Sequence, residues 1–353
     1  MIGQVWMLPA LLVSLQGICP AYNCTNTQNP CGSYTPSSKT YSLGSCPPSQ
    51  YCPAPSPSST TVCEAVPQAS GQAWAGETCN STFPCVDSLV CTENRCSSPI
   101  PGSTCVANFQ CGVSQFCGVS GVCEDLVQVG GQCASDYQCV QNAGCDVSIS
   151  EVSGTCVRYF SKAAGQPLAN CVSGSSLLCE SSSCTEGPTG ALCMGLVQSN
   201  SPVPAQCSPG ALCTSTLDSA TNTALNSLCT CGFTSNGTAY CPAFPGDPVG
   251  VQYFSSLLKW TQSSAILQCN TQRRLSLYCL YSHWDTEDYL QYLVAYFGMT
   301  MYVQIQANPV CVKEVYTETY WTALTAYQNY TNQTHPDLAN WLCLAASLIL
   351  VGV

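Results

Sequence analysis

Gly102-Ser-Thr-Cys105-Val-Ala-Asn-Phe-Gln-Cys111-Gly-Val-Ser-Gln-Phe-Cys117-Gly-Val-Ser-Gly-Val-Cys123 decides how this chain folds. Its features recur on both sides. Cys79, Cys85, Cys91 and Cys96 precede it, and Cys133, Cys139, Cys145 and Cys156 follow. Each unit opens with Gly-x-x-Cys, at Gly76, Gly102 and Gly130, and its first three cysteines are spaced C-x5-C-x5-C. An aromatic residue stands two positions before each second cysteine, at Phe83, Phe109 and Tyr137. A period in this range marks a repeat architecture.

A unit of roughly 27 residues buries too little apolar surface to fold alone. Cross-links replace the core by shrinking the unfolded ensemble, a loop of about 15 residues contributing about 3 kcal/mol. Two bridges closed within each unit are therefore expected to hold short hairpins and turns, with the connectivity left open. The aromatic before the second cysteine is expected to be the one sizeable side chain of each small core. Degenerate copies flank the three units. Cys46-x5-Cys52-x10-Cys63 echoes the third unit, Cys171 to Cys193 follow more loosely, and Cys207-x5-Cys213 continues to Cys229, Cys231 and Cys241.

The three units resemble the amino-terminal cysteine-rich region of the Dickkopf family and the related EB-type modules, over about a quarter of the chain. Dickkopf proteins are secreted antagonists of Wnt co-receptors whose activity depends largely on a second, colipase-like cysteine domain. No equivalent stands here, so the resemblance does not carry that function. The overall plan is also similar to cysteine-rich surface proteins of unicellular eukaryotes, whose repeats are often rich in C-x-x-C, a spacing this chain lacks.

Composition sets the compartment. Of 31 cysteines, 27 lie between Cys19 and Cys241. That is about 12% of the segment, above the roughly 8–10% of a disulfide scaffold, and an oxidising environment is the economical reading. The missing C-x-x-C pairs, with only His283 and His335 as histidines, speak against zinc. Charged residues are 8% and net charge is −11. The few cations are scattered except for Arg273-Arg274, which reads as a solvated pair, so nucleic acid is not an expected partner.

The ends are read as processing signals. Residues 1–17, with cleavage after Gly17 or after Ala21, form an apolar leader of signal-peptide length. Cysteine parity favours Gly17 and cleavage-site chemistry favours Ala21. Residues 331–353 combine a polar spacer with a hydrophobic tail, the pattern of a GPI-attachment signal with Asn332 as attachment site. Sequons at Asn23, Asn80, Asn236 and Asn329 are candidate glycosylation sites.

The expected fold class is small and disulfide-rich: tandem cysteine-stapled β-hairpin and loop modules followed by a small, mainly helical domain. Its parts are a degenerate unit at 18–75, three repeats at 76–164, degenerate units at 165–241, a hinge at 242–250 and an aromatic-rich helical domain at 251–330. Asp285 is expected to cap one helix, and Val312 to Tyr327 to form another. Cys269, Cys279 and Cys311 are an odd set there, implying either a bridge to the repeats or a free thiol.

No phosphate loop, nucleophile elbow or H-E-x-x-H is present. His283-Trp284-Asp285 reads as a loop entering a helix. Catalytic, cofactor-binding and metal-binding residues are therefore not assigned. The expected function is a cell-surface structural or adhesive component of an extracellular coat or filament. Its expected partners are other coat proteins or itself, and the membrane through a lipid anchor. The alternative is a tethered receptor or ligand-binding module.

Overall fold

A computed structural model describes residues 19–303 except 26–30, 45, 47–49, 52–59, 66–72, 82–83, 87–88, 98–101, 149–151, 172–174, 188–189 and 233. The expected leader, Phe83, the Val312–Tyr327 helix, Asn329, Asn332 and the tail lie outside the described residues. What is described is a small disulfide-rich fold of two- and three-stranded sheets with one helical region.

Each module is a hairpin pinned to the loop before it. The hairpins pair Val90–Thr92 with Arg95–Ser97, Gln115–Cys117 with Cys123–Asp125, and Ala143–Asp146 with Gly154–Arg158. In every case the third and fourth cysteines face each other: Cys91 and Cys96, Cys117 and Cys123, Cys145 and Cys156. Their sulfurs do not join across the hairpin. The third bonds to the first cysteine, as Cys79–Cys91, Cys105–Cys117 and Cys133–Cys145. The fourth bonds to the second, as Cys85–Cys96, Cys111–Cys123 and Cys139–Cys156. Bridges therefore close within modules, as their spacing predicts.

The opening glycine has a backbone reason. Gly76, Gly102 and Gly130 have φ of +83°, +86° and +87°, a region glycine enters without a Cβ penalty. There each N–H donates to the carbonyl of its module's fourth cysteine, at 2.8, 3.1 and 2.8 Å. Gly165 does the same toward Cys193 at 2.8 Å. Cys171–Cys184 and Cys179–Cys193 repeat the connectivity, so 165–193 is a fourth module with a displaced first cysteine. Cys207–Cys229 and Cys213–Cys241 build a fifth. Cys46–Cys63 spans 17 residues, as Cys139–Cys156 does.

The segment from Cys19 to Gly44 is tied to the fifth module. Strand β1 (Ala21–Thr25) runs parallel to β3 (Thr40–Gly44), whose other edge carries the antiparallel β2 (Gly32–Thr35). Cys19 bonds to Cys231, and the Tyr22 N–H donates to the Thr234 carbonyl at 2.8 Å.

Phe109 and Tyr137, the described aromatic residues before second cysteines, are not the module cores, which corrects the expectation for those two modules. Tyr137 is 42% exposed. Phe109 lies against Trp74, ring centroids 5.6 Å apart. The small core clusters of the second and third modules consist of their own cysteines, joined in the third by Ala143, while the buried ring of the second module is Phe116, next to its third cysteine.

Three helices follow: α1 (Pro248–Gln262), α2 (Leu277–His283) and α3 (Thr286–Thr300). Pro248 opens α1, where its missing N–H costs nothing. Asp285 caps α3, accepting the Asp288 N–H at 3.0 Å as its position predicts. Within residues 242–250, Asp247 anchors the approach to α1. Asp247 is 3% exposed, and its carboxylate accepts from the Ser199 N–H and hydroxyl and from the Phe244 N–H at 2.6–2.9 Å. The helices share their core with the modules: Leu257, Trp260, Ile266, Leu280 and Tyr292 pack with Tyr159, Phe160, Leu168 and Leu178. Cys269 and Cys279 bond to each other.

Candidate functional site

The Cys269–Cys279 bridge closes a loop between the turn Ser264–Gln268 and α2. That loop reaches three consecutive modules. The Arg273 guanidinium donates to both carboxylate oxygens of Glu77 in the first module, at 3.1 and 2.8 Å, and lies 4.0 Å over the Trp74 ring. Asn270 donates to the Asn108 carbonyl in the second, at 3.2 Å. Arg274 enters the third, donating to the carbonyls of Asp136 and Cys139 and to the Tyr159 hydroxyl at 2.9, 3.2 and 2.5 Å. In return its own carbonyl accepts the Trp260 indole N–H at 2.6 Å. Gln141, from the third module, donates to the carbonyls of Val113, Leu267 and Cys269. The expectation of a solvated arginine pair is thus overturned, Arg274 being 3% exposed. A five-donor planar cation satisfies several fixed carbonyls at once, which an ammonium does not.

Gly76 has a second role at this seam. A Cβ there would stand 2.2 Å from the Gln268 carbonyl oxygen, so its bareness lets the loop approach. Burial raises the Glu77 pKa above the usual carboxylate value, opposed by the Trp74 N–H and by Arg273. Losing Arg273 would leave a buried carboxylate without its cation. Arg273→Gln is expected to cost about 3 kcal/mol, and Glu77→Gln clearly less. Urea midpoints of the two variants check this; equal, small shifts would contradict it.

Beside the seam, His283 ends α2 between two clefts. One of about 390 Å³ is lined by Lys259, Gln262, Trp284, Asp285 and Asp288. The other, about 330 Å³, is lined by Gly76, Arg95, Val113 and Gln268. The His283 Nδ1 lies 3.2 Å from Arg95 Nη1 and 3.1 Å from Gln268 Oε1. Burial first, then the Arg95 charge, pulls its pKa down to about 4. The ring is neutral at neutral pH, and a cation beside it opposes proton uptake. The Asp285 carboxylate caps α3 instead of orienting the imidazole, and Asp288 pairs with Lys259. His283 closes a helix, not the entering loop of the sequence reading.

The twelve repeat cysteines are all paired, so trios with sulfurs within 4.8 Å offer no thiolate to a metal. Asn23, Asn80 and Asn236 are exposed. Sequence reading missed Glu77, Asn270 and Gln141 altogether. It also missed Asn108 and Asp136, whose side chains accept the N–H of the third cysteine at 2.8 and 2.7 Å. The shared [Asn/Asp]-[Phe/Tyr]-Gln-Cys step was a usable signal for those two. No protein-family model, no curated protein and no solved structure matches this chain.

Proposed function

We propose that the protein is a secreted, lipid-tethered structural or adhesive component of an extracellular coat or filament, acting without catalysis and partnering other coat proteins or itself. The observation that carries this reading is that the second, third and fourth modules are fused in succession without slack. Leu126 donates its N–H to Ser114 of the second module, and Val127 donates to Gln138 of the third, at 3.1 and 2.7 Å. Tyr159 and Phe160 likewise link Asn142 to Leu177 across the next junction, at 3.1 and 2.7 Å. A stiff body with exposed Val90, Val106, Val119 and Val152 suits lateral packing, because apolar side chains gain by leaving water, against the repulsion of a net charge of −11. Among the described residues no helix is long and apolar enough to cross a membrane; the tether at Asn332 rests on the polar spacer and hydrophobic tail of residues 331–353.

Protein released from intact cells by phosphatidylinositol-specific phospholipase C should rise in mass with concentration in the ultracentrifuge. Failure of release would overturn the tether. A constant monomer mass would overturn assembly and favour a receptor, for which the Trp284 cleft, with Lys259, Asp285 and Asp288, is the recognition surface.

A further inference from the structure

We infer that the cleft between the first module and the turn Ser264–Gln268 binds a small aliphatic carboxylate, its anionic head at Arg95 and its hydrocarbon chain between Val113 and Leu267. The cleft holds about 330 Å³, at the lower end of the roughly 300–1,000 Å³ of small-molecule sites. That is room for about eleven heavy atoms at the roughly 30 Å³ a water takes in the liquid. Ala75, Val113 and Leu267 form its apolar wall, and Leu267 is 50% exposed. A hydrocarbon chain laid there takes that leucine out of water.

The head is identified by charge. Lys162, Lys259 and Arg273 each pair with a carboxylate, and Arg274 is buried among carbonyls. Arg95 lines the cleft and, among the described residues, pairs with no carboxylate. Its Nη1 donates to the Gly76 carbonyl at 2.8 Å and stands 3.2 Å from His283 Nδ1. These contacts fix the guanidinium through one nitrogen. Its Nε and Nη2 remain to take both oxygens of a carboxylate, the geometry a planar fork is suited to.

No acidic side chain among the described residues lines the cleft to compete for that place. Glu77 is held by Arg273, Asp285 caps α3, and Asp288 pairs with Lys259. In a chain of net charge −11, this is a local reversal of sign beside an apolar wall. An amine would meet only a cation there, and acetate would leave the wall uncovered. The lining comes from the first module, from Val113 of the second and from the turn, so a bound ligand joins all three. The inference does not depend on what the protein assembles with.

Calorimetry of the secreted protein with octanoate, octylammonium and acetate tests the site. Octanoate should bind, and the other two at least about tenfold more weakly. Arg95→Gln should weaken octanoate about ten- to a hundredfold, the loss of a charge-assisted hydrogen bond, and Leu267→Ser should weaken it as well. Bound octanoate should slow hydrogen exchange at Gly76, Arg95 and Gln268. No octanoate binding at millimolar concentration, octylammonium binding as tightly, or an unchanged affinity in Arg95→Gln would overturn the inference. If Arg95→Gln is not secreted, the comparison of octanoate with octylammonium on the unaltered chain decides.

Discussion

Arg274→Ala should lower stability by about 3–5 kcal/mol and strip hydrogen-exchange protection from α1 to α3 while leaving the second module protected. The side chain is buried, and three of its donor contacts end on groups of the third module. Truncation removes charged hydrogen bonds, each worth about 1.5–3 kcal/mol, and leaves buried acceptors short of a donor. It also opens a space beside Tyr159, over whose ring the guanidinium lies at 5.2 Å. Arg274→Lys keeps the charge but cannot span the same acceptors, so it should recover less than half of the loss. Denaturant midpoints and peptide-level exchange check both variants. A loss below about 1 kcal/mol, or unchanged helix protection, would show that the helices stand by themselves.

The seam explains why parts of this fold were legible and parts were not. Disulfide modules announce themselves through cysteine spacing, because the bonded partners are near in sequence and every copy repeats the constraint. The opening glycine was visible for the same reason, although its purpose, a φ near +85° aimed at the fourth cysteine's carbonyl, required the backbone. The fourth module was half hidden. Gly165 keeps its place, but Cys171 stands six residues on rather than three, so the motif breaks while the hydrogen bonds persist. Asp285 was readable because capping is local.

Arg273 and Arg274 were misread for the opposite reason. Their partners lie over 100 residues away, and an adjacent pair of cations is ordinarily solvated. Two facts could have raised suspicion: the chain has only eight Lys and Arg, and the pair is bracketed by Cys269 and Cys279. The aromatic positions failed because periodicity marks a conserved place in the module without saying which side of it faces inward. Phe109 serves a neighbour's Trp74, and Tyr137 faces solvent. The clefts at His283 had no sequence signature at all, since one is lined by residues from two modules together with the helical region.

The central claim is that the third module and the helices form one body, and paired cysteine replacements test it most directly. Cys139→Ser with Cys156→Ser removes the bridge beneath Arg274, whose Nη1 holds the Cys139 carbonyl. Loss of such a bridge costs about 2–5 kcal/mol, and the displaced carbonyls carry the arginine's anchorage with them. Cys111→Ser with Cys123→Ser removes an equivalent bridge from the second module, which meets the loop through Asn108 and the third module's Gln141 through Val113. Hydrogen exchange over residues 248–300 is the readout. The account predicts a large loss of helix protection in the third-module variant and near-native protection in the second-module variant. Native protection of the helices in both variants would contradict it and make them an independent domain.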